Sequence, residues 1–342
     1  MKSRLLVILG LAAFFSVAVG NLFVAGQSLS PAPVAAQTAK PQAAAPAADA
    51  GWPDRRPIGV VFLSEGGHSF REPGFRTAHN PRGWNPAFHR NSVTGVELDV
   101  ADPIYAEKFD AAVDAFVLQS LDRAQKFNCQ GVLFWDLEGS EFDHPTTYVG
   151  SGGLYLPPEM RRDRVKAWVD ALKARNMWAG FTFRDTAFVS TPYGPDQANG
   201  ADPAEALMWK MQKCRFVYGD NCRSAYLDSF VDAESWTDGK VHPRPAAVLE
   251  KIQSKIPGWL VIPEYGGEGY DKVPRVAPLR YWGAPSVQPF EVLQPTDAKI
   301  STLQRTEYVR AMRAGALTLI TVTWASPQTA WVPNAWRAGQ GH

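Results

Sequence analysis

Four short apolar runs in this 342-residue chain each end on an acidic residue. They are Gly131–Gly139 (GVLFWDLEG), Trp178–Thr186 (WAGFTFRDT), Ser224–Ser229 (SAYLDS) and Trp259–Tyr265 (WLVIPEY). Continuous apolar runs of this length suit strands buried on both faces, as in a parallel sheet covered by helices. If the sheet closes into a (β/α)8 barrel, the strand ends converge on one rim, where barrel enzymes place their chemistry. Acids at several strand ends then face one another across one cleft.

The intervening segments support this pattern. A first strand, Ile58–Leu63, precedes a long Gly-, Pro-, Arg- and Asn-rich stretch running to Pro103. A loop of that length in a compact domain is usually functional or lid-like. Asp102-Pro103 opens a helix with Ile104, Phe109, Val113, Phe116, Val117 and Leu121 at helical spacing. Gly131–Trp135 is the second strand. Pro157 and Pro158 introduce a helix carrying Val165, Trp168, Val169 and Leu172, and Trp178–Phe183 is the third strand. Asp202-Pro203 starts a helix with Leu207, Met208 and Met211 before the fourth strand, Ala225–Leu227. Helix Ala246–Ile256 stops at Pro257-Gly258 and leads to strand five, Leu260–Ile262. Leu279–Trp282 and Phe290–Leu293 are strands six and seven. A helix over Ile300–Arg313, ended by Gly315, precedes strand eight, Leu317–Val322. Eight strands alternating with helices predict an α/β protein with a (β/α)8 TIM-type barrel over residues 57–342. An open doubly wound sheet is the fallback, but its Gly-rich phosphate turn is absent.

The N-terminus reads as a targeting device. Lys2 and Arg4 precede an apolar run from Leu5 to Gly26, interrupted only by Ser16 and Asn21. Residues 1–26 therefore form an export signal or, given their length, a retained membrane anchor. Residues 27–56 form an Ala/Pro-rich linker that cannot bury a core. Either way the body is expected outside the cytoplasm: periplasmic, extracellular or tethered to the outer face of the inner membrane. With 35 basic and 34 acidic residues, no net field favours nucleic acid. An exported location permits a disulfide among Cys129, Cys214 and Cys222, with Cys214–Cys222 the favoured pair across a short loop. No catalytic or metal-ligand thiol and no cofactor are expected.

Asp228 ends strand four and Glu264 ends strand five. Glycoside hydrolysis uses two carboxyl groups, one protonated toward the leaving oxygen and one ionised to attack carbon or activate water. Neighbouring strand ends place such a pair on either side of a bond, so these two are the candidate catalytic residues. Pro263 and Tyr265 flank Glu264 and are expected to desolvate it, as a general acid near neutral pH requires. Asp136 and Glu138, with Glu141, Asp143 and His144 beyond them, suit recognition of sugar hydroxyls or, alternatively, a divalent metal site. Arg184 suits a substrate clamp or a partner that keeps Asp136 or Asp228 ionised. The chain holds 12 Trp, 10 Tyr and 18 Phe, enough to line a sugar cleft as well as a core. Trp84, Trp135, Tyr148, Trp282 and Trp324 are the candidate stacking plates. No Gly-x-Ser-x-Gly elbow, phosphate loop or dinucleotide fingerprint is present, which removes esterase, kinase and dehydrogenase readings.

The segments Trp135–Gly139, Tyr226–Ser229 and Ile262–Tyr265 resemble exported bacterial barrel proteins of glycosidase type. They resemble more distantly the α-galactosidase-like and endo-α-1,4-polygalactosaminidase-like barrels. The resemblance spans Pro57 to Trp324 and implies a carbohydrate substrate, with Asp228 in the place of the strand-four nucleophile. The chain departs from the α-galactosidase pattern: Leu227 stands where a Lys is usual, and no Asp follows an Arg near strand six. Glu264 then fills the acid's role. A barrel that binds carbohydrate without cleaving it, and a metal-dependent hydrolase built on Asp136–His144, are the alternatives. Glu97-Leu98-Asp99, with His89-Arg90 upstream, also resembles the metal-binding Glu-x-Asp of glycerophosphodiester phosphodiesterase barrels. No apolar strand precedes His89, and Asn91 replaces the expected Gly.

Overall fold

The computed structural model describes residues 52–63, 85–135, 137, 148–149, 155–156, 160, 163–185, 187–191, 194–198, 202–232, 234–238, 240–281, 292–294 and 302–323. The expected signal or anchor and nearly all of the linker lie outside them. Among the described residues no helix is long and apolar enough to cross a membrane.

Eight strands form one sheet: β1 (Ile58–Phe62), β2 (Gly131–Trp135), β3 (Trp178–Phe183), β4 (Cys222–Leu227), β5 (Leu260–Pro263), β6 (Leu279–Tyr281), β7 (Val292–Gln294) and β8 (Leu317–Thr321). Their order is β6-β7-β8-β1-β2-β3-β4-β5, and every neighbouring pair is parallel. The two edges meet. Val261 of β5 donates its N–H to the Arg275 carbonyl at 2.9 Å and accepts from the Ala277 N–H at 2.9 Å, just ahead of β6. The result is a TIM-like (β/α) fold, as the strand pattern predicts.

Around the sheet lie α1 (Tyr105–Lys126), α2 (Val165–Ala174), α3 (Pro203–Tyr218), the short α4 (Ser235–Asp238), α5 (Ala246–Lys255) and α6 (Thr302–Arg313). Asp202 caps α3 by accepting the N–H groups of Ala204 and Glu205, with Pro203 in the first turn. Helix α2 begins later than Pro157-Pro158 suggests. The Asp163 carboxylate receives the Val165 N–H and provides the local start signal.

Strand alternation divides the apolar residues into two layers. Val61, Phe134, Phe181, Ala225 and Val261 point outward and pack with helix residues such as Val113, Trp168, Leu207 and Leu249. Ile58, Phe62, Leu133, Trp135, Trp178, Tyr226, Ile262 and Leu317 point inward and fill the barrel. Trp52 closes the bottom, edge-on to Trp178 with ring centroids 6.0 Å apart. Both indole N–H groups donate to Gln130 Oε1, at 2.9 and 3.3 Å. The Trp178 ring lies across Gly131, where an added Cβ would meet Cδ2 at 2.0 Å. Gly131 is thus required by close approach rather than by its backbone angles.

The expected Cys214–Cys222 disulfide is not formed; none of the three cysteines is in a disulfide, and all three are buried. Cys222 Sγ lies 3.8 Å from the Cys214 carbonyl oxygen, so this thiol meets the α3 backbone instead of the other sulfur. Burial pushes the Cys222 thiol up to about 12 and raises Cys129 as well, so neither of these two is a thiolate near neutral pH.

The His89–Asp99 segment is a structural turn. Leu98 donates its N–H to the His89 carbonyl at 2.7 Å, and Arg90 bridges Glu97. The His89 ring lies edge-on to Phe109, and its Nδ1 is 3.0 Å from the Tyr105 hydroxyl. Its Nε2 is buried with no hydrogen-bond partner among the described residues.

Two tests follow. Gly131→Ala forces Trp178 off the barrel floor and should cost roughly 1–3 kcal/mol or more, read from the urea midpoint. Burial holds the His89 imidazole below its ordinary value. The unfolded chain therefore takes up a proton as pH falls below about 6.5, before the folded one does. Stability tied to His89 is full above that pH and declines below it. Urea midpoints of His89→Gln should fall less than wild type between pH 7 and pH 5; equal slopes would remove His89 from this role.

Candidate functional site

Strand register assembles the site. Phe183 pairs with Leu227, and Leu227 with Pro263, so the next residue on each strand is Arg184, Asp228 and Glu264. The ladder continues through that level: Asp228 donates its N–H to the Phe183 carbonyl at 2.9 Å, and Glu264 to the Leu227 carbonyl at 3.1 Å. Trp178, Tyr226 and Ile262 belong to the inward set. By the same alternation Arg184, Asp228 and Glu264 face the barrel mouth. Three adjacent strands thus present a cation and two acids at one height on the C-terminal rim.

Arg184 donates from both Nε and Nη2 to Asp228 Oδ2, at 3.0 and 2.7 Å. The two side chains are only 19% and 15% exposed, so this charge-assisted pair is largely shielded from water. Arg184 therefore bonds Asp228, one of the two acids considered as its partner. Glu264 Oε2 accepts the Ser229 N–H at 2.7 Å. Ser229 is in the left-handed region, with φ 51°. That turn aims its N–H across to β5 and couples the two strand-end acids through the residue after Asp228.

Asp185 looks outward to a different partner. Its Oδ2 accepts from Arg244 Nε at 2.6 Å, and its side chain is 9% exposed. Burial raises the Asp185 carboxyl above its ordinary value, opposed by the Arg244 and Lys210 charges. Arg244 stands at the end of the loop that follows β4, where Val231 bridges Pro243. Its carbonyl accepts from the Tyr270 hydroxyl at 2.6 Å. Lys210 of α3, itself buried, donates from Nζ to the Arg184 carbonyl at 2.8 Å.

Below the acids lies an aromatic floor. Trp135 and Tyr226 have ring centroids 4.1 Å apart and Phe62 sits 5.6 Å from Trp135. Trp135, expected as a stacking plate, is 9% exposed and belongs to the inner core at the level beneath the rim. Asn85, in the long stretch after β1 expected to be functional or lid-like, is buried and caps the 3-10 turn Pro86–His89 by accepting the Ala87 N–H. Asp136, Glu138, Trp84, Trp282 and Trp324 lie outside the described residues, as do Glu141, Asp143 and His144. Tyr148 is described by its backbone alone, in a short hairpin with Leu156.

Lys210, Arg244 and Tyr270 were not legible as site residues. Lys210 carried one usable signal: it falls three residues after Leu207 and next to Met211, on a stripe that is otherwise buried and apolar. Arg244 and Tyr270 carried none, because their contacts join separate loops. A further group, Asp232, Glu234 and His242, brings possible ligand atoms within 4.8 Å of one another in the loop after β4. Asp232 is also committed to capping, accepting the N–H groups of Glu234 and Ser235. His242 Nε2 is 2.8 Å from Asp238 Oδ2, and that contact raises the imidazole above its ordinary value.

No family model matches the sequence, and no curated protein matches it. Solved structures that it is similar to include glycoside hydrolases. An α-L-fucosidase from Bacteroides thetaiotaomicron shares 11% identity at TM-score 0.42, over 84% of this chain and 72% of its own. An α-galactosidase from Lactobacillus brevis shares 11% at TM-score 0.42, over 67% and 38%. An α-amylase from Lactobacillus plantarum shares 11% at TM-score 0.41, over 84% and 80%.

The Arg184–Asp228 pair is open to a direct test. Arg184→Met strands a shielded carboxylate and should cost about 2 kcal/mol, below the figure for a fully buried pair because some water reaches it. Adding Asp228→Asn should recover part of that loss. Additive losses in the double variant would show that the pair contributes nothing beyond its separate members.

Proposed function

We propose that this chain is an exported glycoside hydrolase that cleaves a poly- or oligosaccharide by a two-carboxylate mechanism. The observation that carries the reading is the in-register placement of Arg184, Asp228 and Glu264 on adjacent strand ends. Asp228 serves as nucleophile or general base. Both guanidinium bonds fall on its Oδ2, so Oδ1 is the oxygen that meets the anomeric carbon or the attacking water. Glu264 serves as general acid. Its Oε2 is engaged as an acceptor by Ser229, so the proton delivered to the leaving oxygen rides on Oε1. As the C–O bond breaks, the proton leaves Glu264 with the departing hydroxyl, and water completes hydrolysis at carbon.

The body is residues 57–342, carried outside the cytoplasm by residues 1–26 as cleaved signal or retained tether, with residues 27–56 as spacer. Asp136, Glu138 and Arg184 orient the sugar, and Trp84, Tyr148, Trp282 and Trp324 provide aromatic surface for it above the buried Trp135. The chemistry calls for no cofactor.

On a panel of glycans, Glu264→Gln should lower turnover by about 10²–10⁴-fold, with the deficit smallest for substrates whose leaving group needs no proton. Asp228→Asn should abolish turnover on all of them. Unchanged rates in both variants on a verified substrate would defeat the assignment. Saturable binding without release of sugar by the wild type would leave a carbohydrate-binding barrel in its place.

A further inference from the structure

Lys210 is 2% exposed, and its ammonium group donates to the Arg184 backbone carbonyl. A buried ammonium is costly unless paired and hydrogen-bonded, and neighbouring positions on the same face of α3 are apolar. An apolar side chain would pack there at lower cost, so the placement of this charge needs a reason. The carbonyl it holds belongs to the peptide joining Arg184 to Asp185. That peptide is a rigid plane. On one side of it Arg184 reaches to Asp228, and on the other Asp185 reaches to Arg244. Turning the plane would redirect both side chains together. The Lys210 charge also opposes the rise that burial imposes on the Asp185 carboxyl.

We infer that Lys210 is a positioning residue: by fixing the Arg184–Asp185 peptide it sets the direction of Arg184 toward Asp228, and the Asp185–Arg244 pair locks the same peptide from the other side. Tyr270 extends the brace to the segment after β5 through the Arg244 carbonyl. The brace runs outside the cleft, so it acts on the chemistry only through Arg184. Its importance for hydrolysis rests on the function proposed above; the brace itself does not.

The test reads Arg184 directly. In side-chain ¹⁵N NMR of the full chain, the Arg184 Nε–H resonance is assigned by its loss in Arg184→Met. Its exchange with solvent is then compared in wild type, Lys210→Met, Lys210→Arg and Asp185→Asn. Lys210→Met should speed that exchange roughly tenfold or more, as the pair with Asp228 opens. The Nε–H of Arg164, which bonds Asp114 at 3.2 Å between α1 and α2, should keep its wild-type rate. Lys210→Arg should restore most of the protection, and Asp185→Asn should loosen Arg184 even if Lys210→Met fails to fold. Wild-type exchange at Arg184 in the folded Lys210 and Asp185 variants would overturn the inference. So would equal acceleration at Arg164, since that marks general loosening. On any glycan the wild type cleaves, Lys210→Met should lower kcat more than it raises KM. Absence of hydrolysis in every variant removes the glycosidase reading and leaves the exchange result standing.

Discussion

The parallel register of β3, β4 and β5 is the constraint on which the candidate site depends. A one-residue slip between any two of these strands would turn a whole side-chain set from the barrel mouth to the helix layer. Arg184, Asp228 and Glu264 would then no longer share a face. The register is held from both sides. Inside, the Trp135 ring lies 4.1 Å from Tyr226, which pairs across the ladder with Ile262; outside, Phe181 packs with Tyr218 and Phe134 with Trp168.

The barrel separates its tasks along its axis. The bottom is closed by Trp52, Trp178 and Gln130 in a small satisfied network. The middle is apolar. At the top, each described strand-end acid has a partner: Asp228 with Arg184, Asp185 with Arg244, Glu264 with the Ser229 N–H. Such pairing is what allows ionisable groups to sit on an apolar floor without heavy desolvation cost.

Much of this was visible in the chain itself. The eight strands fall where apolar runs and their punctuation place them, including the weakly marked β6 and β7. The cap at Asp202-Pro203 and the stop at Gly315 are local signals, readable because their physics is local. The start of α2 was misjudged because Asp163, not the proline pair, supplies the first hydrogen bond. The Cys214–Cys222 expectation failed for a related reason. Short separation in sequence says nothing about which way a helix and a strand turn their sulfurs.

Sequence alone determined that the acids end strands, since a buried strand tolerates apolar residues until it reaches the rim. It could not determine partners. Arg184 and Asp185 are adjacent and opposite in charge, yet alternation sends one inward to Asp228 and the other outward to Arg244. The roles of Lys210, Arg244 and Tyr270 exist only once α3 and the loops after β4 and β5 meet around one peptide. That meeting is long-range packing, and no local pattern in the chain encodes it.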